Sequence, residues 1–251
     1  MSAVRAAETA EALFTATAWL AEHGLGGWAE RDAGAFVAVT RLAVPTLNGV
    51  WLPDGAVGDA AAIGARLDRV AAEGVAHCLE FPAGDLTARR IAEARGMVRE
   101  DDIPLMRLDG EPVGARPDGV DVRRLSPDEA PLHGRIAAIG FGVPEAVLAP
   151  FVAPGIANRE EIRYYVGEVG GEPVVTGMGL LVDGRLGVWD IGTPPEHRRH
   201  GYGSAITAAI ARDGIGAGAQ WCWLQSSVAG APVYASLGFE TVATWECWIA
   251  E

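Results

Sequence analysis

Hydrophobic residues recur along the chain with two alternating periods, which predict helices and strands in turn. In residues 202–215 the apolar positions lie three or four apart, as on one face of a helix. Residues 35–41 and 186–193 are short apolar runs bounded by turn residues, which is typical of strands. The predicted helices are 5–23, 59–74, 86–96, 127–141, 144–154, 202–215 and 231–238. The predicted strands are 35–41, 49–52, 77–81, 102–108, 120–125, 162–169, 173–182, 186–193, 221–227 and 241–249. Strands that alternate with helices predict a layered fold of the α/β or α+β class.

A segment rich in glycine and proline, residues 109–119, divides this pattern into two halves. It holds few large apolar residues, as expected of a linker. The length of 251 residues allows one large domain or two small ones. We therefore predict two domains, at residues 1–110 and 118–251.

The two halves share a pattern that is compatible with duplication. Residues 90–106 and 232–248 each combine a short helix, a glycine followed by a large apolar residue, and a terminal strand. The pattern aligns Ala92 with Tyr234. Helix-glycine-strand junctions also arise by chance, so an unrelated α/β domain used for packing or dimerisation is the alternative for the first half.

Charge narrows the classes of partner. The formal net charge is −13, and the 33 acidic and 20 basic residues are spread over both halves. Binding of nucleic acid through its phosphates needs a basic surface, so a nucleic-acid partner is not expected. A cationic or amine ligand suits the acidic field better. The chain has no lysine, which excludes Schiff-base chemistry and a Walker A phosphate loop.

Cysteine usage and hydropathy bear on the compartment. The spacings of Cys78, Cys222 and Cys247 fit no metal site, so reduced thiols and no metal are expected. No apolar run is long enough to cross a membrane, and the first residues lack the order of charge and hydrophobicity of a secretion signal. These features predict a cytoplasmic protein without a membrane partner.

The most informative stretch is the turn PPEHRRHGYGSA, residues 194–205, which joins a predicted strand to a predicted helix. The first turn of a helix leaves backbone N–H groups without partners, and these groups carry partial positive charge. Gly201 and Gly203 let a ligand approach the backbone closely, and Arg198 and Arg199 add full positive charge. The turn predicts a phosphate or pyrophosphate site, with a glycine-rich helix start and solvated arginines as the alternative.

Arg198-x-x-Gly201-x-Gly203, preceded by a strand and a proline, resembles the acyl-CoA-binding motif of the GNAT superfamily of N-acetyltransferases. A second family feature follows in order: a strand, a short helix with Tyr234, and then Leu-Gly-Phe at residues 237–239. The resemblance covers roughly residues 120–251. It implies a mixed, mostly antiparallel sheet flanked by helices in each of two GNAT-like domains. The first domain would be a degenerate copy, because it lacks both motifs.

The resemblance also implies acetyl-CoA as the co-substrate. The CoA pyrophosphate would lie on the amides of residues 199–204, and the pantetheine arm would pair with a splayed strand at residues 191–193. Ser227 lies where the family often has an asparagine that contacts the pantetheine. The cofactor-binding residues predicted in this way are Ile191, Gly192, Thr193, Arg198, Arg199, His200, Gly201, Tyr202, Gly203, Ser204 and Ser227.

Tyr234 occupies the family's general-acid position, where a phenol with an unperturbed pKa of about 10 can donate a proton to the leaving sulfur. Some relatives carry a glutamate base where this chain has Cys222, which lies between two tryptophans as a packed core residue would. Asp190 is the carboxylate predicted to act nearby, with a purely structural strand residue as the alternative. His133 and Trp189 are candidates for lining an acceptor pocket, or for structural roles.

These features imply an enzyme that transfers an acetyl or short acyl group from acetyl-CoA to a small-molecule amine by direct attack in a ternary complex. Two alternatives stay open. One is another acyl donor, such as a carrier protein or an aminoacyl-tRNA, and the other is a non-catalytic protein that binds acyl-CoA. Retention of Tyr234 favours an enzyme. The sequence does not identify the acceptor, and it leaves the oligomeric state open, with a homodimer as one alternative.

Overall fold

A computed structural model describes residues 2–32, 34–56, 60–114 and 119–250. The chain divides into two compact units. The first comprises residues 1–105, 226–228 and 242–251, and the second comprises residues 106–225 and 229–241. Residues 115–118 of the predicted linker, and residue 59 at the start of a predicted helix, lie outside the described residues. The predicted domain boundary therefore remains a prediction.

The first unit is a sheet with helices packed against it. Its elements are α1 (Ser2–His23), β1 (Trp28–Asp32), β2 (Ala35–Val39), β3 (Asn48–Trp51), α2 (Ala60–Ala71), β4 (His77–Pro82), α3 (Leu86–Ala94), β5 (Val98–Arg99) and most of β12 (Glu240–Ala250). Strands β1, β2 and β3 are antiparallel, and β3 then pairs parallel with β4. Helix α2 connects this parallel pair, since parallel strands need a crossover.

The last strand of the chain completes the sheet of the first unit. Residues 245–250 of β12 pair antiparallel with residues 77–82 of β4, and β12 also pairs with β5. Trp248 lies in the same buried core as Leu79 and Phe81. The sequence prediction placed this strand wholly in the domain 118–251, whereas residues 242–250 belong to the first unit.

The second unit repeats this order of strand pairing. Its elements are β7 (Asp121–Arg124), α4 (Ala130–Phe141), α5 (Glu145–Leu148), α6 (Pro154–Ala157), β8 (Ile162–Val169), β9 (Glu172–Val182), β10 (Arg185–Gly192), α7 (Tyr202–Gly216), β11 (Trp221–Gln225) and α8 (Ala231–Ala235). Strands β7 to β10 are antiparallel, and β10 pairs parallel with β11 through the crossover helix α7. Ile206 and Ile210 of α7 are buried against Val175 and Leu224 of the sheet. The predicted mixed, mostly antiparallel sheet flanked by helices is confirmed.

Strand β6 (Ile103–Leu108) runs from the residues of the first unit into those of the second. Its Met106 and Leu108 lie in the core of the second unit. Among the described residues, no helix is long and apolar enough to cross a membrane.

Some predicted elements differ from the structure for local reasons. The single helix predicted at residues 144–154 is wrong, because α5 and α6 are separated by a 3₁₀ turn at Ala149–Val152. Pro150 and Pro154 have no N–H to donate within a helix, so a continuous helix cannot form there. Strands β1 and β5 were not predicted, since both are short and partly exposed and carry no apolar run.

The internal sequence pattern has a structural counterpart in each unit. Helices α3 and α8 are both followed by a left-handed glycine, Gly96 with φ +69° and Gly238 with φ +95°. The residue after each glycine then donates its N–H to a carbonyl of the preceding helix, at 3.1 Å in both units. Met97 donates to Ala92 and Phe239 donates to Tyr234, the two residues that the sequence pattern aligns. The shared geometry is what a duplication predicts, and the origin of the first unit as a degenerate copy remains a prediction.

Candidate active site

Strands β10 and β11 separate at their carboxyl ends. Their parallel pairing covers Arg185 to Gly187 of β10 and Trp221 to Trp223 of β11. Strand β10 nevertheless continues to Gly192. Beyond Gly187 the backbone of β10 has no described partner on this side, so an extended ligand can pair with it as an added strand would. The predicted pantetheine-binding residues 191–193 lie in this stretch or directly after it.

Two indoles pack at the point where the strand pairing ends. The rings of Trp189 and Trp223 meet edge to face, with centroids 5.3 Å apart. A Cβ on Gly187 would lie 2.3 Å from Nε1 of Trp189 and 2.8 Å from Cζ2 of Trp223. Only glycine fits there, because both indoles lie directly over the backbone. Whether Trp189 lines an acceptor pocket remains a prediction.

A β-bulge places Asp190 at this opening. Trp189 pairs with Met178 and Gly192 pairs with Thr176, so two residues of β10 oppose one residue of β9. Asp190 has a left-handed backbone, with φ +51°. Aspartate tolerates this conformation better than most residues, but it still stores strain. Strain held at a bulge beside an open strand edge is typical of a functional position.

The turn before α7 presents free backbone amides. A 3₁₀ turn at Pro195–His197 is followed by two left-handed residues, Arg199 with φ +64° and Gly201 with φ +79°. The first helical hydrogen bond of α7 runs from the Ala205 N–H to the Gly201 carbonyl, at 3.1 Å. The amides of residues 202–204 therefore have no helical acceptor. Left-handed residues beside a helix N-terminus form the concave backbone that binds anions.

The two arginines of the turn differ in their contacts. Nη2 of Arg198 donates to the Gly140 carbonyl at 2.8 Å, and Nε donates to the Thr193 carbonyl at 3.2 Å. Arg198 thus ties the turn to the end of α4, which leaves only part of its guanidinium for a phosphate. Arg199 is exposed. The contacts of both arginines with a phosphate remain predictions, and Arg199 is the better placed of the two.

Of the histidines and the aromatic residue of the turn, His200 is exposed, whereas His197 and Tyr202 are partly buried. Nδ1 of His200 donates to the His197 carbonyl at 3.2 Å, and the His200 ring stacks on Tyr202 with centroids 5.4 Å apart. Nε2 of His197 is 3.8 Å from Oε1 of Glu172. These contacts fix the conformation of the turn. The ligand contacts expected of His200 and Tyr202 stay predictions.

Helix α4 packs unusually close to the end of β10 because both elements have glycine at the contact. A Cβ on Gly192 would lie 2.8 Å from Cα of Ala137, and a Cβ on Gly140 would lie 2.8 Å from the Thr193 nitrogen. Ala137 and Gly140 lie on the same face of α4 as His133, four and seven residues further along. The close approach therefore brings His133 against β10.

His133 faces Asp190 inside the second unit. The imidazole is 1% exposed, and its Nε2 lies 3.8 Å from Oδ2 of Asp190. On its other side, Nδ1 lies 2.8 Å from Oγ1 of Thr176. Both Nε2 and Oδ2 are buried without a hydrogen-bond partner among the described residues. The sequence suggested each residue separately, but only the fold brings them together.

The candidate acid and the cysteine that occupies the base position both have raised pKa values. Burial raises the pKa of the Tyr234 hydroxyl to about 12. Its ring packs edge to face on Phe239, with centroids 6.2 Å apart. Burial, and then the charges of Glu111 and Asp109, raise the pKa of the Cys222 thiol to about 12. Tyr234 is therefore protonated at neutral pH, and Cys222 is an inert core thiol, as its sequence context predicts.

Ser227 is exposed and belongs to the short segment, residues 226–228, that packs with the first unit. Its predicted contact with pantetheine remains a prediction. No cluster of histidine, cysteine, aspartate or glutamate side chains that could hold a metal is found in the described part of the chain.

Most of the residues that form the candidate site lie within a region that matches a known protein family. Residues 160–241 match a protein-family profile described as "Acetyltransferase (GNAT) domain", and the match includes Asp190, the 194–205 turn and Tyr234. No curated protein matches the chain in sequence.

Solved structures resemble the whole chain in fold. A GCN5-related N-acetyltransferase from Kribbella flavida has a TM-score of 0.69 at 21% identity, over 93% of each chain. Another from Sphaerobacter thermophilus has a TM-score of 0.63 at 17% identity, over 88% of this chain and 77% of that chain. A tandem GNAT protein from the clavulanic acid biosynthesis pathway has a TM-score of 0.53 at 18% identity, over 90% of this chain and 82% of that chain. The protein therefore has the fold of these solved GNAT proteins, and its residues 160–241 match a GNAT acetyltransferase domain.

Proposed function

We propose that this protein is an acyltransferase that moves an acetyl or short acyl group from acetyl-CoA to the amine of a small molecule. The observation that carries the proposal is the open edge of β10, which leads directly into the amide-rich turn before α7. An extended thioester with a pyrophosphate needs both features at once: a strand edge for its amide-bearing arm and an anion site for its phosphates.

The turn fits a pyrophosphate in shape as well as in charge. A Cβ built on Gly203 would meet nothing closer than 3.9 Å, so the space in front of the first helical turn is open. The amides of residues 199–204 and the guanidinium of Arg199 would hold the phosphates. Residues 191–193 would hold the pantetheine arm. Acetyl-CoA supplies the acyl group as a thioester, and the chain supplies orientation and proton transfer.

Two side chains have assigned roles in the proton transfers. Tyr234 is the general acid that protonates the departing thiolate, and its raised pKa keeps the proton available at neutral pH. Asp190, at the strained bulge, is the base that takes a proton from the incoming ammonium. A cationic amine also suits the net charge of −13. Direct attack in a ternary complex requires no covalent acyl-enzyme, which agrees with the inert state of Cys222.

Gly203→Glu is expected to weaken acetyl-CoA binding by at least 100-fold, as measured by isothermal titration. The new carboxylate would stand at the first turn of α7, where repulsion from a pyrophosphate a few ångströms away amounts to several kcal/mol. The same carboxylate favours the helix N-terminus by about 0.3–1 kcal/mol, so the fold is not weakened.

Gly203→Ala is the matched control, because its Cβ has room and it adds no charge. We expect it to bind acetyl-CoA within a few-fold of the unchanged protein. Equal binding by the Gly203→Glu variant would overturn the pyrophosphate site. Absence of acetyl-CoA binding by the unchanged protein would favour a carrier protein or an aminoacyl-tRNA as the donor.

An amine screen separates an enzyme from a passive binder. Release of free CoA thiol in the presence of acetyl-CoA and a panel of primary amines is the expected result. Tight acetyl-CoA binding without thiol release for any amine class would favour the non-catalytic alternative.

A further inference from the structure

The hydrogen bonds around His133 fix which ring nitrogen carries its proton. The Thr176 hydroxyl donates its single hydrogen to the Tyr165 carbonyl at 2.8 Å, because a carbonyl can only accept. Oγ1 of Thr176 must therefore accept the contact from His133, at 2.8 Å. Nδ1 is the donor, so the neutral imidazole holds its hydrogen on Nδ1 and has a bare lone pair on Nε2.

This tautomer leaves two acceptors facing each other. Nε2 of His133 and Oδ2 of Asp190 are 3.8 Å apart, too far for a direct hydrogen bond. Both atoms are buried without a partner among the described residues. An unpaired buried acceptor is costly, and a single added proton would satisfy both atoms after a shift of less than 1 Å. When His133 is neutral, the His133–Asp190 pair can therefore bind one more proton between Nε2 and Oδ2.

The other groups around the imidazole do not supply that proton. The Tyr164 ring of β8 packs on the imidazole with centroids 5.1 Å apart, and its hydroxyl donates to the Phe151 carbonyl at 2.5 Å. Burial, and then the charge of Asp190, raise the pKa of Tyr164. On β9, the Thr176 hydrogen is committed to the Tyr165 carbonyl, and the Tyr165 hydroxyl donates to Asp213.

Asp190 connects the buried pair with solvent, so protons can be exchanged through it. Its side chain is 18% exposed although Oδ2 is buried, so other atoms of the Asp190 side chain reach solvent. His133 has no such access. A proton that reaches His133 therefore passes through Asp190.

We propose that His133 and Asp190 act as one proton acceptor for the incoming amine, with Asp190 as the contacting base and His133 as the positioning residue that holds the proton. This inference rests on the proposed acyltransferase function. One N–H bond of the substrate ammonium breaks, Asp190 receives the proton and passes it to Nε2, and the imidazolium then pairs with the carboxylate. The freed nitrogen lone pair attacks the thioester carbonyl.

The protons balance over one turnover. Of the three hydrogens on a primary ammonium, one stays in the amide, one ends on the CoA thiol, and one passes through the His133–Asp190 pair to solvent. Loss of the proton to the His133–Asp190 pair comes first and makes the amine nucleophilic. The pair therefore controls the rate at pH values where the unbound substrate is an ammonium ion.

The first test measures kcat/KM against pH for His133→Asn. The Asn Nδ2 can replace Nδ1 as the donor to Thr176, so the structural contact is kept while Nε2 is lost. We expect kcat/KM to fall by about 10–100-fold at pH 7, and to recover towards the unchanged protein near pH 10, where the amine is deprotonated by solvent. A loss that is equal at all pH values, or no loss, would overturn the proposal.

The second test does not depend on activity, so it separates failure of this inference from failure of the proposed function. In protein labelled with ¹⁵N-histidine, NMR should show the Nδ1–H tautomer for the neutral His133 ring. Asp190→Asn should lower the doubly protonated fraction of His133 several-fold at a given pH. A Nε2–H tautomer, or an unchanged fraction, would refute the pairing.

Glu172→Gln is the matched control for the NMR measurement. Glu172 faces His197 at the same distance of 3.8 Å, but the glutamate side chain is 73% exposed. Water and salt screen that pair, so the doubly protonated fraction of His197 should change less than twofold. An equal response at both pairs would show that Asp190 has no special coupling to His133.

Discussion

Replacing Tyr234 with phenylalanine is expected to lower kcat by about 10²- to 10⁴-fold, the usual contribution of a general acid. The change removes one hydroxyl and keeps the ring that packs edge to face on Phe239. The Kd for acetyl-CoA, measured by titration, should stay within a few-fold, because the anion-binding amides lie in a different element, the turn before α7. Steady-state kinetics with the amine identified in the screen gives the kcat.

Tyr165→Phe is the control for loss of a buried phenol. The Tyr165 hydroxyl donates to Asp213 at 2.5 Å, and burial raises its pKa as it does for Tyr234. This variant should lose stability without a comparable loss of kcat. Similar kcat values for Tyr234→Phe and the unchanged protein would remove Tyr234 from the mechanism.

The raised pKa of Tyr234 also predicts the alkaline side of the pH profile. A phenol with a pKa of about 12 stays protonated throughout the range from pH 6 to pH 10. Ionisation of the acid therefore causes no loss of kcat in that range, whereas an unperturbed phenol, with a pKa of about 10, would be about half ionised at pH 10. A kcat that falls twofold or more between pH 8 and pH 10 would contradict this assignment.

The sequence predicted those parts of the site that depend on local order. The turn, its two glycines and the strand and helix on either side lie within about thirty residues, and their backbone conformations follow from residue type. The inert Cys222 was predicted from its flanking tryptophans. The helix predicted at 144–154 is wrong because Pro150 and Pro154 lack the N–H that a continuous helix needs, although the apolar spacing around them is helical.

The parts that could not be predicted depend on contacts between distant segments. The His133–Asp190 pair requires α4 to approach β10 closely, and this approach depends on Gly140 and Gly192 together. A single glycine in a helix gives no indication of which strand it meets. In the same way, the last strand carries an ordinary apolar pattern, and nothing in that pattern assigns it to the first unit.

Loss of the Arg89 guanidinium is expected to destabilise the first unit by about 3 kcal/mol, through the Glu246 carboxylate on the last strand. Glu246 is 1% exposed and accepts hydrogen bonds from Arg89 at 2.5 and 3.1 Å. It also accepts from the Gly84 N–H at 3.1 Å and the Trp248 indole at 3.3 Å. Without Arg89, the cation that remains beside the carboxylate among the described residues is Arg99, whose Nε lies 3.6 Å from Oε2, so the buried charge keeps only a weaker ion pair. The expected loss is at the lower end for a broken buried pair, because the Arg89 side chain is 35% exposed.

Urea unfolding of Arg89→Met at pH 7 measures this loss, and Arg95→Met is its matched control. Arg95 also holds a carboxylate through two hydrogen bonds, but its partner Asp68 is 70% exposed, so the control should lose less than about 1 kcal/mol. Equal losses in the two variants would show that burial of Glu246 does not matter.

The pH dependence distinguishes a charge effect from a packing effect at Glu246. The hydrogen bond from Arg89 is the main cause that lowers the pKa of Glu246, from 4.5 to about 2, against the opposing effect of burial. The stabilisation from this ionised carboxylate is therefore complete above pH 4.5 and is lost as the pH falls towards 2. In Arg89→Met the Glu246 carboxyl has lost its main ion pair, so it can take up a proton at pH 3 and avoid the cost of a buried charge. The difference between the two proteins should therefore narrow from pH 7 to pH 3, whereas a loss caused by packing alone would stay constant.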